Sequence, residues 1–279
     1  MRVGRGVEIR RTRLRWPLAA LGCVVFLSAL VPGFWSPAGA QTTEPPQPRY
    51  GWREVWAGAD ATRDVWLLYS GVTLAPWSAD VYSDGLRLRT TGGYGQYHYR
   101  ATTLESLDCG FPKPACKQIA KRYDVDFSYN DALVGYHQRF GELTAKAFIG
   151  LAMISHDISE RRLVKAAQGR EIGVKGVIEL WLNLGPHAWT SLDLAYTTAH
   201  KTSAARWRAG WRILPTVSIG PEGRYDSNFE DDGGRAGLFA RYEWFGGEAS
   251  VAAGWSSAIV GGEAQDPAPY ATVNVLMQY

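Results

Sequence analysis

Ser155-His156-Asp157 sets a hydroxyl, an imidazole and a carboxylate side by side, the types from which a hydrolase builds nucleophile, general base and orienting acid. Consecutive strand residues point to opposite faces, so His156 reaches either neighbour only where the backbone turns; a polar strand end at a water boundary is the plainer reading. Cys109 and Cys116 enclose a short segment carrying Gly110, Pro112 and Pro114, the pattern of a small disulfide loop in an oxidising compartment. A metal site would need histidines beside them, and none is near. His98, His137, His187 and His200 stand singly without metal-ligand spacing. No phosphate loop or nucleotide motif is present, so no cofactor is expected.

The third group is ionic. Arg206, Arg208 and Arg212 alternate with Ala205, Trp207, Ala209, Trp211 and Ile213, and Arg235, Arg241 and Glu243 alternate with Ala236, Leu238, Ala240, Tyr242 and Trp244. Three arginines on one face of a sandwich core would be very costly to bury, whereas the lumen of a membrane barrel accepts them and can pair them with Glu179, Asp193 or Glu243. Arg206, Arg208, Arg212, Arg241 and Glu243 are therefore expected to face a lumen.

The strand that ends the chain carries the same inverted polarity. Ala271, Val273, Val275, Met277 and Tyr279 are apolar, with Thr272, Asn274 and Gln278 among the residues between. Alternate residues facing hydrocarbon require a closed barrel, because an open edge in lipid leaves backbone groups unpaired. Val273, Val275, Met277 and Tyr279 are read as the lipid face of a terminal insertion strand.

The pattern predicts an all-β fold, a single antiparallel transmembrane up-and-down β-barrel of about twelve strands. Strands are expected over 52–60, 65–75, 85–101, 121–140, 143–156, 170–183, 188–200, 204–214, 216–225, 235–245, 248–259 and 269–279. The strand over 121–140 switches face near Asn130-Asp131, as a bulge would cause. Long connections, around 102–120, 157–169, 226–234 and 260–268, all fall at odd-numbered positions. That parity puts them outside the cell and both chain ends on the periplasmic side.

Arg2, Arg5, Arg10, Arg11, Arg13 and Arg15 precede the apolar run Leu18 to Val31 and the small-residue site Ala38-Gly39-Ala40, which reads as a cleaved secretory signal peptide over 1–40 that includes Cys23. A Pro-rich lead follows over 41–51, and the barrel occupies 52–279. Losing the signal removes six arginines and one glutamate, turning the formal charge of +3 into −2. No basic stripe with interleaved aromatics remains, so nucleic acid is not an expected partner. Twelve Trp and fourteen Tyr against nine Phe fit rings at a water–lipid boundary. Tyr94, Tyr97, Tyr99, Tyr123 and Tyr129 form either part of that girdle or an aromatic surface for a neutral glucan.

Trp56-Ala-Gly-Ala-Asp60, Tyr69-Ser-Gly71, Ala75-Pro76, Asp84-Gly-Leu-Arg-Leu-Arg89 and Gly92-Gly-Tyr-Gly-Gln-Tyr-His-Tyr99 resemble the N-terminal half of the cellulose biosynthesis protein BcsS family. Gly220-Pro-Glu-Gly-Arg-Tyr225 and Arg235-Ala-Gly-Leu-Phe239 resemble its later part. The resemblance implies a bacterial outer-membrane accessory of cellulose biosynthesis or export and transfers no catalytic motif. Expected partners are outer-membrane lipid, the barrel-assembly machinery, and cellulose or components of its export. A small diffusion channel, and a barrel hydrolase acting on lipid A or peptides, are the alternatives.

Overall fold

The computed structural model describes residues 51–105, 117–158, 169–227, 231–260 and 263–279. The expected signal peptide, most of the lead, and Cys109 and Cys116 lie outside the described residues.

Twelve strands alternate apolar and polar side chains, and each pairs antiparallel with its sequence neighbours. They are β1 (Arg53–Thr62), β2 (Val65–Leu74), β3 (Gly85–Glu105), β4 (Lys117–Phe140), β5 (Leu143–Ile158) and β6 (Gly169–Asn183), then β7 (Ala188–Thr197), β8 (Thr202–Leu214), β9 (Val217–Ser227), β10 (Asp231–Trp244), β11 (Gly247–Val260) and β12 (Glu263–Gln278). β1 closes on β12 from Glu54↔Gln278 to Thr62↔Tyr270, so the sheet is a barrel without an edge. Closure is what permits strands to cross hydrocarbon, since every ladder group then finds a partner within the sheet. Among the described residues no helix is long and apolar enough to cross a membrane.

The outward positions make a lipid belt bounded by two aromatic girdles. Ile149, Leu151, Val174, Ile178, Leu238, Val251, Val273 and Val275 are exposed between them. Trp66, Tyr94, Tyr196, Tyr225 and Trp255 ring the outer boundary, and Trp52, Trp77, Tyr136, Phe140, Trp211 and Tyr279 are exposed on the periplasmic side. This accounts for the Trp and Tyr excess, because each ring keeps an apolar face in lipid and a polar edge in water.

Three expectations are corrected. β4 has no bulge at Asn130-Asp131: its pairing with β5 runs without a shift from Val125↔Ile158 to Phe140↔Leu143. Odd-numbered residues of β4 from Tyr123 to Leu133 are buried throughout, while Arg122, Asp124, Asp126 and Asn130 stay exposed on the other face. The polarity inverts because the strand leaves the membrane, not because the chain changes face. The shifts in register fall instead at Ser256/Ala258 and Arg212/Leu214. β3 and β4 also run on to Glu105 and Lys117, so ladder takes up both ends of the connection expected over 102–120. Finally, β7 stops at Thr197, three residues before its expected end, and Ala199–Lys201 form a 3₁₀ turn.

Inward glycines let the interior close. Gly93 faces the Tyr129 ring and Gly210 faces the Trp189 ring, each so near that a Cβ would overlap the aromatic atoms. The large side chain of one strand thus lies flat over the glycine of the next, filling a lumen that twelve strands would otherwise leave wide.

Candidate functional site

The inward face divides into two zones. Toward the outer end, on β2 to β8, Val65, Leu67, Tyr97, Val125, Phe127, Ile154, Ile158 and Ala199 form one apolar cluster. Below it and on the opposite wall the lumen is ionic.

That ionic zone is built from pairs reaching between strands. Arg89 on β3 meets Glu179 on β6, and Lys175 on β6 meets Asp131 on β4. Arg206 on β8 pairs with Glu222 on β9. Asp60 on β1 takes Arg224 of β9 at 3.2 Å and Arg235 of β10, and accepts from the Thr272 hydroxyl at 3.1 Å. Arg241 meets Glu248 of β11 and, at 2.9 Å, Glu243. Every one of these side chains except Glu243 is buried. Removing charges from water is costly, and the pairs offset that cost only by matching carboxylate to cation at hydrogen-bonding distance.

Aromatic rings fill the space between the pairs. Trp181 and Trp189 stack at 4.1 Å with planes 17° apart. Arg241 lies 4.8 Å over Trp181, and Arg208 lies 5.6 Å over Trp189 and 5.7 Å over Phe239. Beside the stack is a cavity of about 10 Å³, lined in part by Thr144, Lys146, Glu179, Ser191 and Asp193, enough for about one water. The lumen is thus occluded across its ionic zone.

Of the residues singled out in the sequence, Arg206, Arg208 and Arg241 are buried in the lumen. Arg212 and Glu243 are half-buried near the periplasmic end, Arg212 donating to Asn183 Oδ1 at 2.9 Å. Of the expected partners of the β8 arginines, Asp193 acts on Arg208 and Glu243 on Arg212, whereas Glu179 meets Arg89, and Arg206 pairs with Glu222 on β9. Val273, Val275, Met277 and Tyr279 are all exposed on the outward face.

The Ser155-His156-Asp157 set does not assemble. His156 points inward and is buried, and its two neighbours lie on the outer face. The tyrosines are likewise divided: Tyr97, Tyr123 and Tyr129 are buried in the lumen, and Tyr94 is exposed outside, donating to Asp126 at 3.0 Å. They form no common surface; the side chain of Tyr99 lies outside the described residues. Among the described residues no three His, Cys, Asp or Glu side chains converge on a metal position.

Two features escaped the sequence reading. Glu222, Arg224 and Asp226 alternate along β9, a signal that was present but masked by Pro221 and two glycines. At the periplasmic mouth the turn after β2 tucks inward with Val81 buried. Arg87 donates to the Val81 carbonyl at 3.3 Å, to Ser78 Oγ at 2.8 Å and to the Ser83 carbonyl, and His137 Nδ1 lies 3.2 Å from the Val81 carbonyl. No local pattern announces a turn held by groups from two later strands.

The family profile described as cellulose biosynthesis protein BcsS matches residues 55–279. Among solved structures the chain is similar to the KdgM porin, at 10% identity and a TM-score of 0.47, covering 81% of this chain and 99% of that one. It is also similar to an outer membrane channel from Pseudomonas putida F1, at 9% identity and a TM-score of 0.44, covering 85% and 100% of the two chains. No curated protein matches the sequence.

Proposed function

Because the chain belongs to the cellulose biosynthesis protein BcsS family and lies in the bacterial outer membrane as a closed twelve-stranded barrel, we propose that it is a non-catalytic accessory of cellulose production. It acts at the cell surface after polymerisation and does not carry glucan through its own lumen. The observation that carries this reading is the occlusion: the inward charges are buried in pairs, and stacked Trp181 and Trp189 fill the space between them. A glucan chain would have to break several buried ion pairs to enter. The separation of His156 from Ser155 and Asp157 on opposite faces supports the absence of catalysis.

On this reading the partners are outer-membrane lipid, the barrel-assembly machinery that receives the terminal strand, and cellulose or components of its export. Deleting the protein should reduce or mislocalise extracellular glucan while glucan synthesis by isolated inner membranes stays unchanged. An equal loss of synthesis in those membranes would overturn the reading. Purified protein in planar bilayers should show no steady conductance; regular open steps would favour the diffusion channel, for which the charged lumen is the supporting feature.

A further inference from the structure

Between β7 and β8 the chain makes an element, packed against β5 and β6, that membrane anchoring does not require. The 3₁₀ turn Ala199–Lys201 folds its first residue into the apolar cluster, where Ala199 joins Phe127, Ile154 and Ile158. The next two residues, His200 and Lys201, both hold φ at 47°, the left-handed region that side chains other than glycine enter only when their surroundings enforce it. Few bonds do so. Glu171 on β6 accepts the His200 backbone N–H at 2.9 Å and lies 3.3 Å from His200 Nδ1. The Thr198 N–H donates to the Val174 carbonyl at 2.9 Å, and Val174 N–H donates to Thr198 Oγ1 at 2.9 Å.

Under the turn, the His200 ring stands edge-on to His156 with centroids 5.0 Å apart and planes at 87°. His156 is 3% exposed, stacks on Phe127 at 6.3 Å and has Nδ1 3.4 Å from the Tyr97 hydroxyl. Among the described residues, β3, β4 and the turn present Tyr97, Phe127 and His200 to it. Glu171 is the carboxylate that faces His200, and it is about half exposed. Lys201, next along the turn, is exposed to water. Burial holds the His200 imidazole below its ordinary value, and Glu171 pulls it upward.

We infer that this turn is an acid-released latch: the two imidazoles stay together while neutral, and acidification frees the turn and lifts Ala199 from the apolar cluster toward the outer end of the barrel. A first proton on His200 is tolerated because Glu171 is beside it. The resulting cation lies against His156, so a second proton is opposed by charge as well as by burial. Opening the turn exposes both rings to water and lets both protonate, and it relaxes the left-handed backbone. Groups that resist protonation in the closed state stabilise that state above the ordinary histidine value of about 6.5, and that stabilisation is lost as pH falls below it. At pH 4.5 each histidine released to protonate freely multiplies the opening constant by up to about a hundredfold.

The test is amide hydrogen exchange on the full folded chain in detergent micelles at pH 7.5 and 4.5, corrected for intrinsic exchange. Peptides covering 195–204 should lose protection by tenfold or more in acid while those from β10 and β11 keep theirs. His156→Phe should weaken the acid response at least tenfold, because a phenyl ring suits the stack with Phe127 and cannot take a proton, leaving only His200 to titrate. Should that variant not fold, His200→Asn, which tolerates left-handed backbone, should shift opening to lower pH. Equal protection of the wild-type turn at both pH values would overturn the inference, as would an unchanged acid response in either folded variant.

Discussion

Asp60 on the first strand receives Arg235 from the tenth, so one carboxylate ties together walls that meet only when β1 closes on β12. Arg224 and Thr272 join the same carboxylate. Asp60→Ala would leave two buried guanidinium groups without this counter-charge, at a cost of about 3–5 kcal/mol. The measurement is the urea midpoint of the folded, heat-modifiable band on gels. Changing Asp60, Asp226, Arg224 and Arg235 together to Met should cost markedly less, since buried Asp226, 3.7 Å from Arg235, is then not left behind as an unpaired carboxylate.

Gly210 is the bed on which the Trp189 ring lies, so Gly210→Val should force the ring from its stack with Trp181 and lower stability by about 1–3 kcal/mol. Gly176→Ala, with nothing within 4 Å of the added methyl, should be neutral. Near-ultraviolet circular dichroism reports the loss of the indole pair in the first variant and its persistence in the second.

Arg87 clamps the turn at the periplasmic mouth through Ser78 and the Val81 and Ser83 carbonyls. Arg87→Ala should free residues 76–84 and make them cleavable by protease added from the periplasmic side. The ionic zone above would remain packed, so bilayer conductance should stay absent. Cleavage equal to wild type would show that the turn does not depend on the clamp.

Tyr279 is half exposed at the end of the lipid-facing row and its backbone exchanges two bonds of 3.0 Å with Arg53. Tyr279→Asp should block insertion, read as loss of protein from the outer-membrane fraction. Gln278→Ser leaves the lipid-facing row intact. The Gln278 side chain, however, is buried, accepts from the Tyr82 hydroxyl at 2.7 Å and donates to Glu54 at 3.3 Å, so a loss of about 1 kcal/mol without an insertion defect is expected.

Changing Arg206, Arg208 and Arg212 together to Ala removes the guanidinium that is hydrogen-bonded to buried Glu222 and the one that faces buried Asp193. The triple variant should therefore lose stability as well as lumen charge, by about 3–5 kcal/mol for the broken pair. Restoring Arg206 alone should recover the part of that loss due to Glu222 in the same urea measurement.

The alternation of Ala205 to Ile213 against Arg206, Arg208 and Arg212, together with turn residues such as Gly141 and Gly246, determined strand number, facing and hairpin order, because side-chain period and turn chemistry are local properties of the chain. The terminal row from Ala271 to Tyr279 likewise announced a closed barrel, since lipid on one face leaves no other means of pairing the backbone. Whom Arg89 or Asp60 would meet was not local: inward residues of one strand find partners several strands away, at heights set by how far register climbs around the circumference. The inversion on β4 misled for the same reason, because where a strand leaves the membrane depends on the height of the whole barrel. Only closure brought Arg235 onto Asp60, only the packing of β5 to β7 brought His200 over His156, and the Trp181–Trp189 stack within one hairpin joined them in deciding that the lumen is filled.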